Sequence, residues 1–125
     1  MRRDMDLVRS ILLQAESAGC PISLGQISHE GHTDEETVFH IRLMEGHGLI
    51  DARVQTAWGG EVIMCEIESL TWDGLDFLDA VRSERVWTRV RRAVAESVGD
   101  TTLDVIKSAC STVAGQLVME ALSKL

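Results

Sequence analysis

The fold is decided by residues 33–82, which read TDEETVFHIRLMEGHGLIDARVQTAWGGEVIMCEIESLTWDGLDFLDAVR. Thr33 and Glu36 form a capping box, in which the Thr33 hydroxyl can accept from the Glu36 amide, so a helix begins here. That helix is predicted to run to about Gly46. Its inward-facing positions are Thr37 or Val38, Ile41 and Met44.

Two strands are predicted next, near Ile50–Thr56 and Val62–Leu70. They are joined across Trp58-Gly59-Gly60, a turn whose glycines tolerate positive φ. Thr71 can cap the following helix, and this helix carries Leu75, Leu78 and Val81.

The flanking segments are mostly helical. A first helix is expected at about Asp4–Ser17, because its apolar residues recur at three- and four-residue spacing. A short strand follows at Ile22–Leu24. A further helix is predicted from Glu84 to about Val98, Gly99-Asp100 forms a break, and Thr101 or Thr102 restarts a helix that continues to the C-terminus.

The order of these elements predicts an α+β fold that is predominantly helical. A helix followed by a two-stranded ribbon is how a winged helix is built, so we expect a winged-helix-like core at residues 1–82: helix, short strand, helix, β-hairpin wing, helix. Residues 83–125 add two C-terminal helices. The second helix of a standard winged helix is missing or reduced to one turn.

Composition favours one folded cytoplasmic domain. The chain has 125 residues, of which 45% are hydrophobic and 26% charged, as is usual for globular proteins. No apolar run approaches the roughly 18–20 residues that cross a membrane, and the N-terminus lacks a signal-peptide pattern, so we expect no export. Cys20, Cys65 and Cys110 are expected to be reduced and buried or half-buried.

The net charge of −8 counts against a general nucleic-acid binder, yet the cations are unevenly distributed. Residues 82–92 carry five arginines and one acid, a local charge of +4. Three readings stay open for them: a solvated face paired with acids, phosphate contacts, or contacts to an acidic partner. The predicted DNA-contact residues are Arg42, Trp58, Arg82, Arg85, Arg89 and Arg92.

The three tryptophans have different expected roles. Trp58 lies at the predicted hairpin tip, where it could stack on a base, fold back on the hairpin or contact a protein. Trp72 and Trp87 are expected in the core because of their helical spacing.

No catalytic constellation is recognisable in the sequence. His29, His32, His40 and His47 lack the i, i+4 arrangement of helical zinc ligands, so exposed or capping histidines are expected and no metal. Many carboxylates fall in or near first helical turns, where the helix dipole explains them. We therefore expect a protein without enzymatic activity, cofactor or metal.

The C-terminal helix carries an apolar seam suited to helix packing. The seam either packs within its own domain or forms a homodimer, and we favour the homodimer. The predicted interface residues are Leu103, Ile106, Cys110, Val113, Leu117 and Ala121.

Three blocks, at residues 3–9, 38–50 and 70–79, carry a family resemblance. Their sequences are RDMDLVR, VFHIRLMEGHGLI and LTWDGLDFLD. In this order and spacing the chain resembles the small bacterial and phage-associated family of unknown function catalogued as number 2513, over roughly residues 2–90. The resemblance implies a cytoplasmic, often prophage-encoded protein with a winged-helix-like core and no established activity. In addition, HIRLMEGHGLI is similar to the recognition helix and following strand of winged-helix repressors.

Two classes of function remain from the sequence. The first is a phage-type DNA-binding regulator, which would use the wing and the arginine-lined helix. The second is an acidic winged-helix module that binds another protein and no nucleic acid. The acidic start of the helix at residues 34–46 favours the second, whereas Trp58 and the arginine-rich window favour the first.

Overall fold

The computed structural model describes residues 1–99 and 101–125. Within them the chain forms five α-helices, a short 3-10 turn at Leu24–Gln26 and three strands. The helices are α1 (Met5–Ala18), α2 (Asp34–Gly46), α3 (Trp72–Val81), α4 (Glu84–Ser97) and α5 (Leu103–Ser123). The strands are β1 (Ile22–Ser23), β2 (Ile50–Thr56) and β3 (Val62–Leu70). The predicted order of elements and the predominantly helical α+β class are confirmed.

The chain divides into two compact units, residues 1–76 and residues 77–125. The predicted division after residue 82 stays a prediction. The sequence predicts a break between helices at Gly99-Asp100. Gly99 has a φ of +80°, and Asp100 lies outside the described residues.

The sheet of the first unit is antiparallel, in the order β1-β3-β2. β3 is central: Ile67 lies opposite Ile22 of β1, and Cys65 lies opposite Val54 of β2. β2 therefore forms one edge of the sheet. The predicted bounds of β2 and β3 are confirmed, and a single 3-10 turn follows β1.

Capping side chains fix the start of α1 and α2. Asp4 Oδ1 accepts from the amides of Asp6 and Leu7 at 2.9 and 3.3 Å, and Thr33 Oγ1 accepts from the Glu36 amide at 3.1 Å. Each contact satisfies helical N–H groups that have no partner within the helix. The helices then bury one face each, and the fully buried aliphatic residues of this unit include Ile11, Leu12, Ile22, Ile41, Ile50 and Ile67.

His40 contradicts the expectation of exposed or capping histidines, because its side chain is only 1% exposed. Nε2 lies 2.7 Å from the Asp4 amide, and Nδ1 lies 2.7 Å from the Glu36 carbonyl oxygen. Since the Asp4 amide is a donor, Nε2 must accept and Nδ1 must carry the proton. Neutral His40 thus ties the start of α1 to α2, which sequence spacing alone could not indicate.

A close backbone approach attaches the start of α3 to the residues between α2 and β2. A Cβ atom on Gly74 would lie 1.9 Å from the Leu49 carbonyl oxygen, so this position accepts only glycine without a shift of backbone. The Thr71 amide donates to the same Leu49 oxygen at 3.2 Å. The Thr71 hydroxyl donates to the Gly48 carbonyl and accepts from the Gly74 amide, so the predicted cap by Thr71 is confirmed.

Trp72 is 80% exposed, so its predicted core position is wrong, whereas Trp87 is 5% exposed and its core position is confirmed. The reason is the face that α3 buries. Its buried positions are Gly74, Phe77, Leu78 and Val81. At about 100° of rotation per residue around the helix axis, Trp72 lies on the opposite side of α3 from these positions.

The cysteines differ in exposure. Cys65 and Cys110 are buried as expected, but Cys20 is exposed, which corrects its predicted burial.

In the second unit, α4 and α5 pack against each other. Ser83 caps α4 by accepting from the Val86 amide at 3.2 Å, and Thr102 caps α5 by accepting from the Val105 amide at 3.2 Å. The buried residues of this helical pair are Val86, Trp87, Val90, Val94, Ile106 and Cys110.

We predict that His40→Phe lowers the free energy of unfolding by about 2 kcal/mol, because the ring volume is kept while the buried Asp4 amide loses its acceptor. Urea denaturation followed by circular dichroism measures this change. The control is His47→Phe at an exposed position, where we expect a change within about 0.5 kcal/mol. Equal stability of the His40 variant and the wild type would contradict this role.

Candidate functional site

Helix α4 presents three arginines on one exposed face, opposite its buried valines. Arg85, Arg89 and Arg92 are exposed, whereas Val86 and Val90 are buried. At about 100° and 1.5 Å per residue, the three arginines fall within about 60° around the helix axis and span about 10 Å along it. We call these three residues the arginine ridge.

The arginine ridge has no ion pair with any of the described residues. Two other arginines near the arginine ridge have interaction partners. The Arg82 guanidinium pairs with Asp79 at 2.8 Å, and Arg91 lies over the Trp87 ring at 5.8 Å from the centroid. Four predicted DNA-contact residues lie on this helix or just before it. Three of them form the arginine ridge and have no ion-pair partner in the described part of the chain, whereas Arg82 pairs with Asp79.

Trp58 lies at the tip of the β2–β3 hairpin, and its side chain is fully exposed. The tip is held by hydrogen bonds from the Ala57 amide to the Glu61 oxygen at 2.7 Å and from the Gly60 amide to the Ala57 oxygen at 2.9 Å. Gly60 has a φ of +86°, a conformation that glycine tolerates. Ile63 is also 68% exposed, so the end of the hairpin offers apolar surface.

Arg42 is exposed on α2 and lines a cleft of about 380 Å³. The lining residues are Arg42, Glu45, Ala52, Arg53, Val54 and Gln55. Burial raises the pKa of the Cys65 thiol, and the positive charge of Arg42 partly opposes this rise. The sequence did not single out Arg53, because no local pattern reveals which strand will lie at the edge of a sheet.

The two units differ sharply in charge. Residues 1–76 contain five basic and fourteen acidic residues, a net charge of −9, whereas residues 77–125 contain seven basic and six acidic residues, a net charge of +1. The first turn of α2 carries Asp34, Glu35 and Glu36. A polyanion therefore meets strong repulsion at the start of α2, and less repulsion at α4.

His32 joins carboxylates at the first turns of α1 and α2. Its Nδ1 lies 3.0 Å from Glu36 and its Nε2 lies 3.4 Å from Asp4. The hydrogen bond from His32 lowers the pKa of Glu36. A cleft of about 550 Å³ opens beside His32 and His29.

Within residues 1–99 and 101–125, no group of three or more His, Cys, Asp or Glu side chains could hold a metal ion.

The predicted dimer residues divide into two groups on α5. Ile106 and Cys110 are buried within the chain, whereas Leu103, Val113 and Leu117 are half-buried and Ala121 is exposed. Beyond them the helix end carries exposed apolar residues. This exposed apolar stripe consists of Val118, Ala121, Leu122 and Leu125. Val118 and Leu122 are rotated by about 80° and 120° around the helix axis from Cys110.

No helix among the described residues is both long and apolar enough to span a membrane.

Comparison with known proteins identifies relatives without a described activity. A family model described as a hypothetical protein, DUF2513, matches residues 2–100. An uncharacterized protein of Haemophilus influenzae is 33% identical over 120 residues, which cover 94% of this chain and 98% of that protein. No solved structure matches significantly. The extent of the family match and of the identity shows that the chain belongs to the DUF2513 family of hypothetical proteins.

Proposed function

We propose that this protein is a non-catalytic, cytoplasmic DNA-binding regulator whose phosphate contacts come from the arginine ridge. The observation that carries the proposal is the set of three exposed arginines on one face of α4 that form no ion pair with a described residue. A free guanidinium binds phosphate through several N–H donors in a fixed geometry. The phage or prophage association implied by the family resemblance stays a prediction.

The dimensions of the arginine ridge suit a phosphate backbone. Its length of about 10 Å corresponds to roughly three phosphates, which follow each other at about 3.4 Å along the axis per strand. Because the opposite face of α4 is buried, the three side chains share one direction on a rigid helix. Binding therefore requires little further ordering of the backbone.

The first unit supports a secondary contact. Its element order resembles that of a winged helix with a reduced second helix, in which the hairpin would form the wing. Trp58 at the hairpin tip has the exposure that contact with a base at a groove edge requires. The acidic first turn of α2 disfavours entry of this end of the helix into a groove. Arg42 is the exposed cation on α2, and it lies in the cleft beside β2 and not in that first turn.

A second candidate function is protein binding by the acidic first unit. It is favoured by the net charge of −9 on residues 1–76 and by the exposed apolar end of the hairpin. A basic protein surface with an apolar pocket would complement both features.

We also propose a homodimer formed through the C-terminal half of α5. The exposed apolar stripe ends a helix of 21 residues, whereas α4 has 14 residues. Exposed apolar residues at helical spacing are best covered by another helix. A two-fold dimer would also double the number of arginine ridges available to one DNA duplex.

We predict that the triple variant Arg85→Ala/Arg89→Ala/Arg92→Ala binds mixed-sequence duplex DNA more weakly and with less salt dependence. Since each phosphate contact contributes about 0.9 to the slope of log K against log salt concentration, the slope should fall in magnitude by about 2.7. Fluorescence anisotropy at several salt concentrations measures both quantities. The control variant Arg53→Ala/Lys124→Ala also loses positive charge, and its slope should stay within about 1 of the wild type.

In the same assay, Trp58→Ala should weaken binding without changing the salt slope, because stacking neutralises no phosphate. Absence of wild-type binding at about 50 mM salt would overturn the DNA proposal and favour the protein-binding function. Equal loss of slope in the control variant would show that the arginine ridge has no special role.

We predict that the wild type is a dimer at tens of micromolar, roughly the range in which a contact of this kind holds, and that Val118→Asp/Leu122→Asp is a folded monomer. Sedimentation equilibrium gives the mass, and circular dichroism checks the fold. The control Gln116→Asp/Ser123→Asp places the same charges on another exposed face of α5 and should remain dimeric. A monomeric wild type at that concentration would contradict the dimer.

A further inference from the structure

The cleft between α2 and β2 runs along the free edge of the sheet. Four consecutive residues of β2, from Ala52 to Gln55, line it. Successive side chains of a strand point to opposite faces of the sheet. A lining of four consecutive residues therefore indicates a cleft along the strand edge. Arg42 and Glu45 of α2 form the other wall.

The edge of β2 is available for another strand. β2 pairs with β3 on one side, and within the described residues no strand pairs with its other side. An edge strand presents backbone N–H and C=O groups that have no partner in the sheet. The pairing of β2 with β3 is regular from Ala52 to Gln55 and shifts register before and after this stretch, so the regular stretch coincides with the lining of the cleft.

The charge of the cleft departs from that of its unit. Residues 1–76 have a net charge of −9, yet the cleft is lined by Arg42 and Arg53, with Glu45 as the single carboxylate in the lining. Arg42 is exposed. Arg53 contacts Glu68 through Nε at 3.3 Å, while its side chain remains 57% exposed. Both guanidinium groups can therefore reach a carboxylate in the cleft.

We propose that this cleft binds an extended acidic peptide segment of another protein, which adds to the edge of β2 as a fourth strand. Backbone hydrogen bonds to β2 hold the segment, as in other cases of strand addition. Arg42 and Arg53 bind its carboxylates on the two sides of the strand and make the site selective for acidic sequences. This site is separate from the arginine ridge and does not depend on DNA binding.

The test uses a capped octapeptide of alternating Thr and Glu, added to the 15N-labelled full-length protein and followed by NMR. The expected shifts are confined to amides of residues 52–55 and to α2 near Arg42 and Glu45, with a Kd of about 1 mM or tighter. The matching Thr-Lys octapeptide should leave these amides unshifted. A Thr-Glu peptide N-methylated at every residue should fail to bind, because neither of its edges keeps the backbone donors that pair with β2.

Two variants distinguish specific binding in this cleft from nonspecific attraction between opposite charges. Arg42→Gln/Arg53→Gln should weaken the Thr-Glu peptide about tenfold or more, since both charge-assisted hydrogen bonds are lost. Arg85→Gln/Arg89→Gln removes the same charge from the arginine ridge and should change the affinity by less than about twofold. Circular dichroism confirms that both variants remain folded.

Several results would overturn the proposal. One is the absence of shifts along β2 at several millimolar peptide, and another is equal weakening by both variants, which would indicate unspecific charge attraction. Unimpaired binding of the fully N-methylated peptide would exclude strand addition. Shifts of the amides of Arg42 and Arg53 on addition of duplex DNA, with none on addition of peptide, would assign the cleft to nucleic acid instead.

Discussion

The close approach of Gly74 to the Leu49 carbonyl is the constraint on which the first unit depends. Only a residue without a side chain lets the first turn of α3 lie directly on this backbone. Thr71 completes the junction by donating to Gly48 and Leu49 and by capping the helix it precedes. The end of α2, the start of β2 and the end of β3 are thereby fixed at one point.

The position of this junction determines which parts of the β2–β3 hairpin are open to a partner. With the base of β2 and β3 held at Leu49–Thr71, the strands extend away to Trp58, and the outer edge of β2 lies beside α2. Cationic side chains are rare in this acidic unit, and two of its five arginines line that edge. The arginine ridge belongs to the second unit, where acids and bases nearly balance. A polyanion and an acidic peptide would therefore find different sites on the same chain.

Local patterns predicted the elements well but not their environments. The caps at Thr33 and Thr71, the glycine turn after Trp58 and the bounds of β2 and β3 depend on short-range chemistry, and the structure contains all of them. The burial of His40 and the exposure of Trp72 depend on which helices pack together. The packing of helices cannot be read from local patterns in a single sequence. Arg53 could not be singled out, since its importance follows from strand order alone.

The most direct test of the junction is the stability of Gly74→Ala compared with Gly46→Ala, measured by urea denaturation. An added Cβ at Gly74 would collide with the Leu49 carbonyl, whereas a Cβ at Gly46 would meet no atom within 4 Å. We expect Gly74→Ala to lose about 3 kcal/mol of unfolding free energy. Gly46→Ala should be neutral or stabilising by a few tenths of a kcal/mol, because alanine favours the helix. If both variants were as stable as the wild type, the junction would not hold the unit together.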